Sequence, residues 1–332
     1  MNKTLFVALL VFVFSVVSAE KIVFTGTGAT FPNPLYTKVF GIYNRINDSV
    51  SVKYFPLNSG SGIDELTKNK SHFAASEVAL TPYEKKSAGG IAEIPVCIGA
   101  VSISYNLNTE KKLKLTSAVI ADIFLGRIKK WDDKKIKALN PEADLPHQEI
   151  VVIYRLGESG TSWIFSEYLS QNSPLWKKEM GKRRKIFLSD GLGASGNGGM
   201  GRFIKQIPGS IGYIQYSHSK QLGLSNALIK NGEGNYESPN PAGMRDAFLS
   251  GSARKGGYPL VSISYILVRK ISAFLNNKKE ASSFHDFLLW MTGEGQKYFG
   301  EVYYSPLPEN LSEVARSEIK SIEYRGKQLN FY

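Results

Sequence analysis

The stretch EIVVIYRLGESGTSWIFSEYLSQ (residues 149–171) passes from an apolar, β-branched run through a loop into a run that reads as a helix. EIVVIY (149–154) has strand character and SWIFSEYLSQ (162–171) reads as the helix. Between them RLGESGTSW (155–163) carries an arginine, two serines, a threonine and two glycines. A turn needs only one or two such residues. A nucleotide phosphate loop would require G-x-x-x-x-G-K-[ST], and both the lysine and the spacing are missing. The loop is therefore suited to an anion other than a nucleotide.

The same unit of strand, Ser/Thr/Gly loop and helix occurs twice more. KIVFT (21–25) reads as a buried strand, GTGAT (26–30) as the loop, and NPLYTKVFGIYNRI (33–46) as a helix with Leu35, Val39, Ile42 and Ile46 on one face. Pro32 and Pro34 suit a helix start, where the missing N–H has no partner to lose. VSVKY (50–54) alternates as a strand, and NSGSG (58–62) precedes IDELTKN. Three such units argue for α/β architecture. Each brings the free N–H groups of a helix N-terminus to its loop, where the helix dipole favours negative charge. Thr30, Ser59 and Thr161 could individually be ordinary N-caps. Three units on one chain, one of them with Arg155 for bidentate oxyanion contact, favour a shared anion site.

The chain has 332 residues and an apolar fraction of 42%, enough for two domains with sizeable cores. Residues 1–19 read as a signal peptide: Lys3, the apolar run LFVALLVFVFSVV, then small residues at Val17 and Ala19 before a cut after Ala19. The apolar run is short for a membrane span. Glu20 rather than a cysteine would follow the cut, which leaves no site for a lipid anchor. The single cysteine, Cys97, lies within the apolar IPVCIGAVSISY and reads as a core residue, so neither an intramolecular disulfide nor a cysteine metal cluster is expected. Export without disulfides suits a periplasm. The net charge of +12 favours anionic partners. GKRRK (181–185) and RIKKWDDKKIK (127–137) read as solvated helix faces.

Other chemistries find little support. GLGASG (191–196) matches G-x-G-x-x-G, but no acidic residue follows at the distance a ribose contact needs, so it reads as a glycine-rich loop. GESGT (157–161) fails the nucleophile elbow at its last position. His72, His147, His218 and His285 show no metal-binding spacing. Trp131, Trp163, Trp176 and Trp290 lie beside apolar residues and read as packing residues.

GTGATFPNPLY (26–36), FLGRIKKWDD (124–133), SGTS (159–162), GLGASGNGG (191–199), IPGSIGYIQY (207–216) and YSPLPENL (304–311) together resemble the periplasmic phosphate-binding proteins of bacterial phosphate ABC transporters. The resemblance implies a two-lobed, type II "Venus-flytrap" binding protein of α/β class, with a mixed sheet flanked by helices in each lobe and two hinge crossings. The crossings would fall near Gly99 to Ser104 and Pro259 to Ser264. Lobe one would comprise residues 20–100 and 259–332, and lobe two residues 101–258. The family's phosphate contacts would fall on Thr30, Phe31, Ser59, Arg155, Ser159, Gly160 and Thr161, the same three loops singled out above. Where the family reads FGASD this chain reads FAASE (73–77), which puts Glu77 at the acceptor carboxylate. Where members often carry an acidic residue two positions after the arginine, this chain has Gly157, with Glu158 next.

An ionised carboxylate in a closed site accepts but cannot donate, so it would favour an anion that carries a proton over sulfate. The resemblance further implies a non-enzymatic periplasmic monomer that uses no metal or cofactor, binds inorganic phosphate and no nucleic acid, and delivers its ligand to a membrane permease. Two other readings are open at this point: a receptor for another oxyanion such as sulfate or molybdate, and an exported phosphatase or esterase with Ser159 as nucleophile.

Overall fold

The computed structural model describes residues 21–87, 89–251, 256–271, 275–325 and 327–328; the expected signal peptide lies outside them. The chain runs β1 (Ile22–Gly28), α1 (Asn33–Ile46), β2 (Val50–Pro56), α2 (Ser59–Thr67), β3 (Phe73–Ser76) and α3 (Pro82–Ser87) into the long β4 (Ile91–Tyr105). Next come β5 (Lys114–Leu115), α4 (Ser117–Phe124), α5 (Lys134–Leu139), β6 (Val151–Arg155), α6 (Gly160–Asn172) and α7 (Pro174–Glu179). They lead to β7 (Leu192–Ala194), α8 (Gly196–Gln206), β8 (Ser210–Gln215) and α9 (Tyr216–Gln221). β9 (Ser225–Asn226), β10 (Leu228–Lys230), β11 (Tyr236–Glu237) and α10 (Pro241–Leu249) precede β12 (Val261–Arg269), and α11 (Lys278–Thr292) and α12 (Glu309–Lys320) follow it.

The main sheet has the order β2-β1-β3-β12-β4-β8-β6-β7 and is mixed. β1 lies parallel to β2 and β3, while β12 is antiparallel to β3 and β4. On the other side β6 lies parallel to β7 and β8, and β8 is antiparallel to β4. β4 joins the two groups. Its residues Ile91 to Ala100 pair with β12 and its residues Val101 to Tyr105 pair with β8, so the ladder changes partner between Ala100 and Val101. A strand shared in this way is buried on both faces, which explains why IAEIPVCIGAVSISY is almost continuously apolar. Cys97 is a buried residue of that strand, as its setting predicts.

Helices cover the sheet through aromatic contacts. Phe73 of β3 packs against Phe40, Phe284 and Phe287, and Tyr36 stacks on Phe40. On the other side Phe165 stacks on Tyr213 and meets Trp176 edge-on. Each such side chain contributes about 1.5–3 kcal/mol when fully buried. Trp131 and Trp176 are fully buried, whereas Trp163 is only partly so and lies under Lys182 Nζ, 4.0 Å from its ring centroid. That contact corrects the reading of GKRRK as a helix face, since residues 181–185 lie in no helix.

The second helix also departs from expectation. α2 begins at Ser59, so the small residues 59–62 form its first turn and not a loop. Asn58 caps it, its Oδ1 accepting the Ser61 N–H at 2.9 Å. The small residues are needed because α2 lies directly on β1: a Cβ on Gly62 would sit 2.3 Å from Gly28 Cα. Gly28 in turn has φ +123° and no room for a Cβ, which would meet Ala75 O at 2.5 Å. Alanine at position 62 would gain up to about 1 kcal/mol of helix propensity. Overlap with a backbone atom should outweigh that, at about 1–3 kcal/mol. Gly62→Ala is therefore expected to lower the melting temperature, and a variant as stable as the parent would show that α2 does not approach β1 this closely.

Candidate functional site

β1, β2, β3 and β6 all point their carboxyl ends at one place, and the segments following them supply its walls. Ligands in open α/β sheets bind in the crevice outside the carboxyl ends of the strands. Here the crevice is a cavity with an empty volume of about 140 Å³, lined by Thr30, Phe31, Ser59, Glu77, Arg155, Ser159, Gly160 and Thr161 together with Ala29 and Asn58. All eight residues expected from the sequence thus face one cavity.

The first wall is the segment between β1 and α1. Tyr54 donates its hydroxyl to Ala29 O at 2.6 Å, and Tyr304 donates to Phe31 O at 2.5 Å. With both carbonyls held, the amides of Thr30 and Phe31 have no acceptor among the described residues. The Phe31 ring lies over Gly99 of β4, where a Cβ would come within 2.4 Å of it. This contact seats the loop directly on the shared strand.

In the second wall Ser59, 3% exposed, accepts the Gly160 N–H at 3.3 Å. The third wall begins with Arg155 at the end of β6. Its N–H donates to the Tyr213 hydroxyl at 3.1 Å, and that hydroxyl is also 2.9 Å from Ser162 Oγ. The guanidinium is 2% exposed, reaches Thr30 Oγ1 through Nη1 at 3.4 Å, and leaves Nε without a partner. No carboxylate pairs with it among the described residues. Glu158, the acidic residue nearest in sequence, is exposed and points elsewhere in the fold, toward Gly60.

None of Thr30, Ser59 and Thr161 is an N-cap. Pro32, Asn58 and Ser159 occupy those positions, and Ser159 Oγ accepts the Ser162 N–H at 3.4 Å. The Ser159 amide is held by Arg184 O at 3.0 Å. Ser159 is thus engaged as a structural cap, and no histidine lines the cavity, which removes the support for a serine nucleophile with a histidine base. His218 stands outside, beside Thr30 and Arg202. Burial, and secondarily Arg155, push its pKa down to about 4, so it is neutral at physiological pH.

Glu77 follows β3 and is 3% exposed. Its Oε1 accepts from Ser264 Oγ of β12 at 3.2 Å, while Oε2 has no partner. A Cβ on Gly160 would lie 2.1 Å from Oε2, so only glycine fits at the start of α6 opposite this side chain. Burial raises the Glu77 carboxyl to about 8, against the smaller opposing pull of Ser264, Arg155 and Ser59. Desolvation therefore favours the protonated form of this group over the ionised carboxylate expected from the sequence.

Sequence reading missed the residues that hold the walls in place. Tyr54 appears there in a strand, Tyr213, Tyr304 and Asn197 within motifs that carry the family resemblance, and Ser264 at the end of an expected crossing, none of them with a role at the site. Only their spatial neighbours distinguish them.

Comparison with known proteins identifies the family. A family model described as a PBP superfamily domain matches residues 15–294. A phosphate-binding protein PstS of Haemophilus influenzae is 32% identical over 314 residues, which covers 90% of this chain and 92% of that protein. The phosphate-binding protein PstS of Methanocaldococcus jannaschii is 29% identical over 91% of this chain and 87% of its own length. Among solved structures, a high-affinity periplasmic phosphate-binding protein bound with phosphate matches with a TM-score of 0.71 at 18% identity, covering 89% of this chain and 93% of that one. A phosphate binding protein from Stenotrophomonas maltophilia matches with a TM-score of 0.67, also at 18% identity, over 90% and 94% of the two chains. The structural matches carry the fold, and the matched domain with the PstS sequence identity carries the rest: the chain belongs to the phosphate-binding protein PstS family of the PBP superfamily.

Proposed function

We propose that this protein is the substrate-binding component of a phosphate ABC importer, binding inorganic phosphate between its two lobes and delivering it to the membrane permease without chemical conversion. The observation that carries this reading is the make-up of the 140 Å³ cavity. It combines a buried, unpaired guanidinium, free backbone amides and several hydroxyls with a single carboxyl. Such a set suits a small, multiply charged oxyanion that still carries a proton. Thr30, Phe31, Ser59, Glu77, Arg155, Ser159, Gly160 and Thr161 are its contacts in this reading. The protein acts as a monomer in the periplasm after cleavage behind Ala19. Titration of the purified protein with phosphate and sulfate at pH 9, above the Glu77 pKa, tests the assignment: phosphate should bind tightly and sulfate weakly, and equal binding of the two would replace it with a general oxyanion receptor.

In this reading the lobes are residues 20–100 with 259–332, and 101–258, hinged at Gly99 to Ser104 and Pro259 to Ser264. The change of ladder partner at Val101, and the bond from its N–H to Leu260 O at 2.9 Å, support crossings at these points. Phosphate should draw the lobes together and stabilise the fold by about 2.7 kcal/mol at a hundredfold excess over Kd. Small-angle scattering is expected to show a more compact particle with phosphate; superimposable curves would argue against hinge closure.

Arg155 supplies the positive charge of the cavity and the planar fork that fits two oxygens at once. Arg155→Lys keeps the charge but loses the fork, and calorimetry should find phosphate binding weakened roughly ten- to a hundredfold, the worth of one or two charge-assisted hydrogen bonds. Unchanged affinity would remove Arg155 from the contact set.

Glu77 governs how phosphate and sulfate differ. Sulfate brings no proton, so its complex requires Glu77 to keep its own, and the protonated fraction falls as pH rises through about 8. Hydrogen phosphate brings a proton that an ionised Glu77 can accept. Sulfate affinity should therefore fall between pH 7 and pH 9 while phosphate affinity holds. Glu77→Gln should abolish this divergence. Parallel pH profiles for the two anions in the parent protein would mean that Glu77 does not select between them.

A further inference from the structure

The glycine-rich stretch GLGASGNGG supplies none of the expected contacts, yet it delivers Asn197 to the space between the loops that do. Asn197 is fully buried in the first turn of α8. Its Oδ1 accepts the backbone N–H of Gln215 at 3.0 Å. A backbone N–H can only donate, so this bond fixes which end of the amide is oxygen. Nδ2 is thereby turned toward two hydroxyls, Thr30 Oγ1 at 3.0 Å and Thr161 Oγ1 at 3.3 Å. The alternative direction, Thr161 donating to Oδ1, is longer at 3.5 Å and competes with the Gln215 amide.

Thr30 Oγ1 also receives the Asn197 N–H at 3.2 Å and Arg155 Nη1 at 3.4 Å. Three donors converge on an oxygen with two lone pairs, so its acceptor capacity is used up. What remains to Thr30 is its own O–H, which has no acceptor among the described residues. Thr30 lines the cavity in which the oxygens of a bound anion would lie.

We propose that Asn197 is a positioning residue for oxyanion binding: with its main-chain N–H and its Nδ2 both donating to Thr30 Oγ1 it fills the lone pairs of that hydroxyl and commits it to donate into the cavity, while Nδ2 also donates to Thr161 Oγ1. Thr30 follows β1 and Thr161 lies on α6, so the amide spans the two sides of the crevice. The Thr30 hydroxyl becomes a committed donor only when those sides meet. An open crevice would return Thr30 to water, where it donates and accepts alike. Asn197 in this way links closure to the choice of an acceptor-rich ligand.

The inference rests on the phosphate reading of the cavity, and a double-mutant cycle separates the two. Phosphate affinity is measured by calorimetry for the parent, Asn197→Ala, Thr30→Val and the double variant, with melting of each ligand-free protein as a check on folding. Each single change should weaken phosphate binding roughly tenfold or more. The double variant should bind no more weakly than the worse single one, because Asn197 acts through the Thr30 hydroxyl. Losses that multiply in the double variant, or an Asn197→Ala protein with parental affinity, would overturn the assignment. If the alanine variant is too unstable to purify, Asn197→Asp keeps the volume and the acceptor for Gln215; its loss should be smaller in the Thr30→Val background, and equal losses in both backgrounds would likewise overturn the assignment. A parent protein that does not bind phosphate at all would sink the phosphate reading and this inference with it.

Discussion

A guanidinium that is 2% exposed and has no carboxylate partner among the described residues is an expensive feature of a fold. Burying an unpaired charge costs several kcal/mol, and proteins ordinarily meet the cost with a counter-ion or by neutralising the group. Arginine cannot readily be neutralised. Glu77 lies in the same cavity, but burial raises its pKa to about 8, which weakens it as a compensating charge near pH 7. The cavity thus joins one cation and an excess of donors to a carboxyl that favours its protonated form, a set that in the proposed reading suits an anion.

Such a site holds only if the surrounding structure keeps its polar groups from satisfying one another. The tyrosines do part of this work. Tyr54 and Tyr304 hold the carbonyls of Ala29 and Phe31 from behind, and Tyr213 holds the Arg155 amide. Close contacts at glycines do the rest. Gly28 against Ala75, Gly62 against Gly28 and Gly160 against Glu77 bring the walls nearer than any side chain would allow. In each case the groups that could relax toward a hydrogen bond within the protein are pinned to a strand or a helix end.

The shared strand β4 sets the relation between the walls. It pairs with β12 along one part and β8 along the other, and Phe31 rests on Gly99 just before the change of partner. The loop that offers free amides is therefore anchored where the two groups of strands join. Movement about this point would separate Thr30 from Asn197, and Ser59 from Gly160, while leaving each group of strands intact.

The sequence by itself determined the α/β units, the position of Cys97 in the core, the three anion-suited loops and, through its motifs, the family. These are local properties: a strand, a small-residue loop and a helix start are contiguous in the chain, and Arg155 announces its chemistry by its place among serines and glycines. Tertiary structure decided the rest. Whether residues 59–62 coil or wind into α2 depended on Gly62 meeting Gly28, a contact between separate elements. Asn197 became more than one residue of the GLGASGNGG motif only when α8 brought it to Thr30 and Thr161, both distant in sequence. The charge of Glu77 could not be read at all, because a carboxyl's pKa follows from how much water the assembled fold leaves around it, and no stretch of sequence carries that quantity.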